Sequence, residues 1–198
     1  MSARRGFTLL ELLVALTVGG AALAAGGAAF ATLVDQRAAA RVDADAVTRA
    51  LGVRQALEAW LLEARAEPGT VDALLGTHAL LRSAAGPVDD DTLAFVTTAD
   101  GETRQLRLFI DRAAARPALV VEQTDTAGAA VRTTLVFDVA GLSVSYYTTA
   151  FGRAEWRRTW AGGALLPAAI QVRLYARPET PLPVALTMPI TVPLANGL

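Results

Sequence analysis

The sequence predicts an α+β fold: one long N-terminal helix, apolar in its first half and amphipathic in its second, covered by antiparallel β-sheet. Three observations predict it. Residues 12–34 carry no charge, residues 35–67 place apolar side chains three and four apart, and beyond "AAGPVDDD" the apolar period shortens to two. A helix followed by a run of strands is the pattern of an α+β domain. The 198 residues suit one core with an N-terminal extension rather than two domains.

The uncharged run of 23 residues would reach roughly 34 Å as a helix, enough to cross a hydrocarbon layer. Arg4 and Arg5 precede it, which keeps that end in the cytoplasm and sends the remainder across the membrane. Glu11 complicates this, because an acid at the head of such a helix costs a few kcal/mol unless it finds a partner. A cleaved secretory signal would use the small residues of "AALAAGGAAF", but the apolar run is long for that class. An uncleaved anchor explains the length and leaves Glu11 unexplained, unless the acid merely snorkels to the interface. Gly19-Gly20 and Gly26-Gly27 permit close helix approach, while each glycine lowers helix stability by about 1 kcal/mol relative to alanine.

In residues 35–67 the apolar positions Val47, Leu51, Leu57, Trp60, Leu61 and Ala64 define one helix face, with Trp60 expected in the core. Pro68-Gly69 ends the helix, and "TVDALLGTHALL" predicts a short helix capped by Thr70. "TLAFVTT" and "ETRQLRLFI", joined by "ADG", read as a hairpin with Leu106, Leu108 and Ile110 on one face. "ALVVEQ" and "VRTTLVFDV" form a second pair, with Val131, Thr133, Leu135 and Phe137 alternating. "LSVSYYTT", "AAIQVRLYA" and "PVALTMPITV" complete the strands, and Pro189 places the last at an edge.

Several function classes find no support. The 18 basic residues are balanced by 19 acids and scattered, so no basic stripe marks a nucleic-acid binder. With no cysteine and only His78 as histidine, thiolate and multi-histidine metal sites are excluded, and neither a nucleophile elbow nor a phosphate loop is present. His78 reads as a loop residue. Asp89-Asp90-Asp91 offer oxygens for calcium, but three consecutive carboxylates do not converge on one ion, and a solvated turn entering a strand is expected. In "WRRTW" the aromatics and Arg157 and Arg158 suit base stacking, with structural packing the preferred reading. The expectation is a non-enzyme with no cofactor.

The stretch "RRGFTLLELLVAL" resembles the leader and mature N-terminus of type IV pilins and type II secretion pseudopilins: a short basic leader, Gly6, the aromatic Phe7, then Thr8, two leucines and Glu11. The resemblance implies a type IV pilin-like fold, cleavage by a prepilin peptidase after Gly6, and methylation of the new amine of Phe7. It divides the chain into a leader (1–6), a transmembrane and assembly helix (7–34) and a periplasmic head (35–198). It also supplies a partner for Glu11, since the amine of Phe7 on a neighbouring subunit would pair with it inside the apolar bundle, where an unpaired charge is heavily penalised. Many pilins carry a proline near residue 28; this chain has Ala28.

Beyond the leader, "LVFDVAGLSVSYYTTAFGRAEWRRTWAGGALLPAAIQVRLY" is similar to the J family of minor pseudopilins: a strand on an apolar-aromatic pattern ending in Tyr, a loop, Trp156 and Trp160, then Leu166-Pro167 leading into a strand. That resemblance implies an inner-membrane, single-pass subunit at the tip of a periplasmic pseudopilus. Its partners would be I-like and K-like minor pseudopilins, the major pseudopilin and the inner-membrane assembly platform, in support of the export of folded proteins. A minor pilin of a type IV pilus or competence system is the alternative, and a signal-anchored extracytoplasmic enzyme or binding module is a third reading.

Overall fold

The computed structural model describes residues 8–65, 74–83, 86–98, 102–113, 115–149, 153–161 and 166–194. The chain divides into two compact units, the first ending at Ala46 and the second running from Val47. One helix, α1 (Leu9–Leu62, 54 residues), passes through the boundary. Its continuity follows from its composition: leucine and alanine dominate, proline is absent, and the four glycines of the apolar half are carried by neighbours of high helix propensity. It shows no break at Gly26-Gly27.

In the first unit α1 buries none of its apolar side chains; Leu9 is 84% exposed, Leu23 79% and Phe30 68%. An 18-residue window reaches a mean hydropathy of 1.9, so the helix is long and apolar enough to cross a membrane. Thr17 and Thr32 donate their hydroxyl hydrogens to the carbonyls of Val14 and Ala28, at 2.9 and 3.0 Å, which satisfies these hydroxyls without a neighbour.

In the second unit the end of α1 turns one face to the core. Ala50, Leu57, Leu61 and Ala64 are buried, and Val53 and Trp60 pack against them. Of the six predicted face positions, Val47 and Leu51 depart, being 48% and 45% exposed. Leu51 lies about 100° round the helix from buried Ala50, and Val47 opens the second unit. The helix closes at Leu62, ahead of Pro68-Gly69, which lies outside the described residues, as does Thr70.

The predicted helix after Thr70 is replaced by strand. β1 (Leu74–Thr77) and β2 (Leu80–Ser83) occupy that stretch, followed by β3 (Gly86–Asp89), β4 (Thr92–Thr97) and β5 (Arg104–Asp111). β6 (Ala118–Thr124), β7 (Ala130–Phe137), β8 (Val139–Thr148), β9 (Glu155–Arg157), β10 (Trp160–Ala161) and β11 (Ala169–Ala176) come next. The stretch read as a last long strand splits into a short helix, α2 (Val184–Thr187), and β12 (Ile190–Pro193). Tertiary pairing overrides helix propensity at β1: Leu74 opposes Phe95 and Gly76 opposes Leu93, so the segment completes a sheet.

The six-stranded sheet runs β10-β1-β4-β5-β6-β7 and the four-stranded sheet β12-β11-β8-β9, all antiparallel, with β2-β3 as a separate hairpin. β4-β5 and β6-β7 pair as predicted, and Leu106, Leu108 and Ile110 are buried on one face. β7 is an edge strand, which leaves Val131 62% and Phe137 53% exposed despite their alternation. β12, just after Pro189, is an edge as predicted. β8 packs across β4, β5 and β6, so Leu142, Val144 and Tyr146 meet Leu93, Leu106 and Leu108 in one core with the end of α1.

Two close approaches set the sheet spacing. Gly76 faces the Tyr146 ring so closely that a Cβ there would lie 1.9 Å from the tyrosine oxygen, and a Cβ at Gly141 would lie 2.2 Å from Val88 Cγ1. Gly76→Ala is therefore expected to destabilise the protein by about 1–3 kcal/mol through overpacking. Tyr146→Phe is expected to leave stability unchanged or raise it, because the buried hydroxyl has no partner among the described residues. Denaturant unfolding of the detergent-solubilised chain checks both.

Candidate functional site

At the head of α1 the backbone N–H of Thr8 donates to Glu11 Oε2 at 3.0 Å, and the Thr8 hydroxyl donates to the same oxygen at 3.1 Å. In return the Glu11 N–H donates to Thr8 Oγ1 at 3.3 Å. This is a reciprocal capping box: threonine and glutamate three apart satisfy two of the donors that a helix start leaves open. The carboxylate also lies at the positive end of the helix dipole. The leader pattern names Thr8 without its capping role, although Thr-Leu-Leu-Glu carries the cap signature. Gly6 and Phe7, the expected cleavage and methylation positions, lie outside the described residues.

In the head the structure corrects the expected solvated turn at the aspartate run. Asp91 is 1% exposed, and its carboxylate accepts from His78 Nδ1 at 2.6 Å, from Ala79 N at 3.3 Å and from Val144 N at 2.7 Å. Asp89 instead takes both oxygens to Arg158 at 2.9 and 3.0 Å, and Asp90 takes Arg112 at 2.7 Å. Successive side chains of an extended segment diverge, so three adjacent acids tie three different parts of the head together. Among the described residues no group of three His, Asp or Glu is placed to hold a metal ion.

His78 is a loop residue, as expected, between β1 and β2. Paired with Asp91 it copies two members of a nucleophile triad, but no hydroxyl bonds its other ring nitrogen among the described residues. Burial, reinforced by the Asp91 charge, pushes the Tyr146 phenol far above its ordinary range, so this hydroxyl stays protonated. In "WRRTW", Trp156 stands on β9 with its ring 5.2 Å from Tyr147, and Trp160 stands on β10 6.1 Å from Tyr146. Arg158, past the end of β9, donates to Ser143 Oγ at 2.6 Å as well as to Asp89. The motif is thus largely absorbed by sheet packing.

A further ion pair closes the β7–β8 turn. Asp138 adopts a left-handed conformation at φ 61°, which aspartate tolerates better than most residues, and accepts from Arg116 Nε at 3.0 Å and from its Nη2. Arg116 also lies 5.3 Å from the Phe137 ring centroid. The hydrogen bond from Arg116 holds the Asp138 carboxyl below the usual carboxylate range, against the opposing effect of burial.

The family model described as "Prokaryotic N-terminal methylation motif" matches residues 1–27. No curated protein matches the chain. The matched motif supports a type IV pilin-like class, pilin or pseudopilin, and points to a structural protein processed by a prepilin peptidase and assembled into a pilus-like filament. The helix followed by antiparallel sheet matches the type IV pilin fold. Together with the apolar helix, the motif fits a membrane-anchored pilin-like protein.

Two expectations follow from the head. Asp91→Ala leaves the Val144 N–H without its acceptor and should cost about 2–4 kcal/mol in chemical unfolding, more than Asp90→Ala, whose ion pair is partly exposed. Asp138 has a lowered folded-state pKa, so its stabilising effect is present above its unfolded value near about 4 and is lost as pH falls through the folded value. Asp138→Asn should flatten the acid limb of the stability profile.

Proposed function

We infer that this chain is a J-like minor pseudopilin, a non-catalytic subunit at the tip of a type II secretion pseudopilus that supports export of folded proteins across the outer membrane. Residues 1–6 are its leader, 7–34 its membrane and assembly helix, and 35–198 its periplasmic head. The prepilin peptidase cuts after Gly6 and methylates Phe7. The chain is anchored in the inner membrane with its N-terminus in the cytoplasm. I-like and K-like minor pseudopilins, the major pseudopilin and the assembly platform are its partners, and no nucleic acid is needed.

The observation that carries this reading is the leader pattern itself, Gly6-Phe7-Thr8 with Glu11 at the head of a helix whose residues 12–34 are uncharged. The capping box sharpens the role of Glu11. Thr8 occupies Oε2, while Oε1 receives no hydrogen bond within the described residues and is left for a cationic terminus of a neighbouring subunit. In a low-dielectric bundle such a pairing enforces axial register, because a shifted subunit would strand both charges. The J assignment rests on the tail, where Tyr146-Tyr147 lie near the end of β8, Trp156 and Trp160 follow, and Leu166-Pro167 lead into β11.

Intact-mass analysis of the membrane-extracted protein should find a chain beginning at Phe7 and carrying one added methyl group; an uncut Met1 terminus or a cut after Ala25 would overturn the pilin reading. Glu11→Ala should be processed normally yet fail to co-purify with I-like and K-like subunits. Co-purification equal to the unaltered chain would refute the charge pairing, and co-purification only with type IV pilus subunits would favour the minor-pilin alternative.

A further inference from the structure

The outward face of the four-stranded sheet carries a cleft of about 340 Å3 formed over β8, β9 and β11. Strand register explains which side chains meet there. Gln171 stands opposite Ser145, Arg173 opposite Ser143 and Tyr147 opposite Trp156, and residues two apart on a strand share a face. One wall is Arg158, whose guanidinium is already held by Asp89 and Ser143.

Arg173 differs from Arg158. It is exposed, lines the cleft, and has no hydrogen bond or ion pair to any described residue. Along the outward positions of β8, β11 and β12 it is the only ionised side chain. An unpaired guanidinium in a concave site favours an anion, and takes a carboxylate best through two parallel N–H bonds.

Apart from Arg158, whose charge Asp89 meets, the groups around it are neutral. Among the described residues the Ser145 hydroxyl has no hydrogen-bond partner, and the Gln171 amide nitrogen donates to Thr191 Oγ1 at 3.1 Å while its carbonyl oxygen accepts from none of them. Tyr175 is 40% exposed, and Trp156 is 48% exposed and braced by Tyr147. A flat aromatic surface, a hydroxyl and a carbonyl in register, and one free guanidinium together describe a ligand with an apolar face, several hydroxyls and a carboxylate.

We propose that this cleft binds a uronic-acid residue of an acidic polysaccharide. The carboxylate sits on Arg173, sugar hydroxyls bond Ser145 and Gln171, and the C–H face of the ring lies on Trp156. The volume falls at the small end of ligand sites and suits one or two sugar rings. A diglutamate peptide would satisfy Arg173 but presents no flat C–H face to Trp156. The proposal stands independently of the filament reading.

The test is calorimetric titration of the full-length chain in detergent micelles with digalacturonate, followed in parallel by tryptophan fluorescence. Saturable binding is expected. Arg173→Gln should weaken it by roughly tenfold or more, with Arg173→Lys between the two, because a point charge replaces a fork. Ser145→Ala should weaken it measurably, and Arg107→Gln, on the other sheet, should leave it unchanged. Neutral digalactose should bind about tenfold less well. Absence of saturable binding, an Arg173→Gln affinity equal to that of the unaltered chain, or equal affinity for a diglutamate peptide would each overturn the proposal.

Discussion

A carboxylate at the head of a long uncharged run has to be satisfied from its own chain, from water or from another molecule, and this condition governs the first unit of the protein. The reciprocal bonds between Thr8 and Glu11 meet part of it: one oxygen of the acid closes the open amide and hydroxyl of Thr8 and belongs to the helix start. The other oxygen does not. The acid therefore has a local role, starting α1, that leaves capacity for a second, intermolecular one. Because the cap fixes the side chain toward the N-terminus, it also fixes where an incoming positive group would have to stand.

The head answers to a different constraint, that of joining two sheets and a helix end around one apolar core. Most of this is done by leucines and valines of alternating strands, but the aspartate run supplies direction. Asp91 spends a buried charge on two backbone amides and His78, which pins the entry of β4 to β8, while Asp89 and Asp90 reach outward to arginines. A buried carboxylate with three donors is tolerable where one without them is not. Arg54 does similar work on α1, donating to the carbonyls of Ala185, Met188 and Pro189, each at 3.2 Å, and so holding α2 and the approach to β12.

What the sequence makes legible here is periodicity, and what it hides is pairing. The strands from β4 to β8 and β11 follow from alternation, since a half-buried strand must alternate. Residues 74–81 read as helix because Leu-Leu-Gly-Thr-His-Ala-Leu-Leu has no clear period; only the partner Phe95 and the small Gly76, which makes room for Tyr146, turn Leu74–Thr77 into strand. Val184–Thr187 reads as strand by composition and forms a helical turn whose carbonyls meet Arg54, a contact more than a hundred positions away in the chain. At the N-terminus the leader pattern is legible in full, and so is the Thr-Leu-Leu-Glu spacing of the cap, whose hydrogen bonds the charge of Glu11 does not by itself reveal. The distinct partners of Asp89, Asp90 and Asp91 had no local signal at all, because each lies on a separate element.

In the proposed pairing the unoccupied oxygen of Glu11 meets the amino terminus of another subunit. The direct measurement is an intermolecular carbon–nitrogen distance by solid-state NMR, with this chain labelled with 13C at its glutamate carboxyls and the co-assembled subunits labelled with 15N at their terminal amines. A cross-subunit correlation corresponding to a charge-assisted hydrogen bond, below about 4 Å, is predicted. Detection of Glu11 contacts to Thr8 of its own chain alone, in filaments that are otherwise intact, would contradict it.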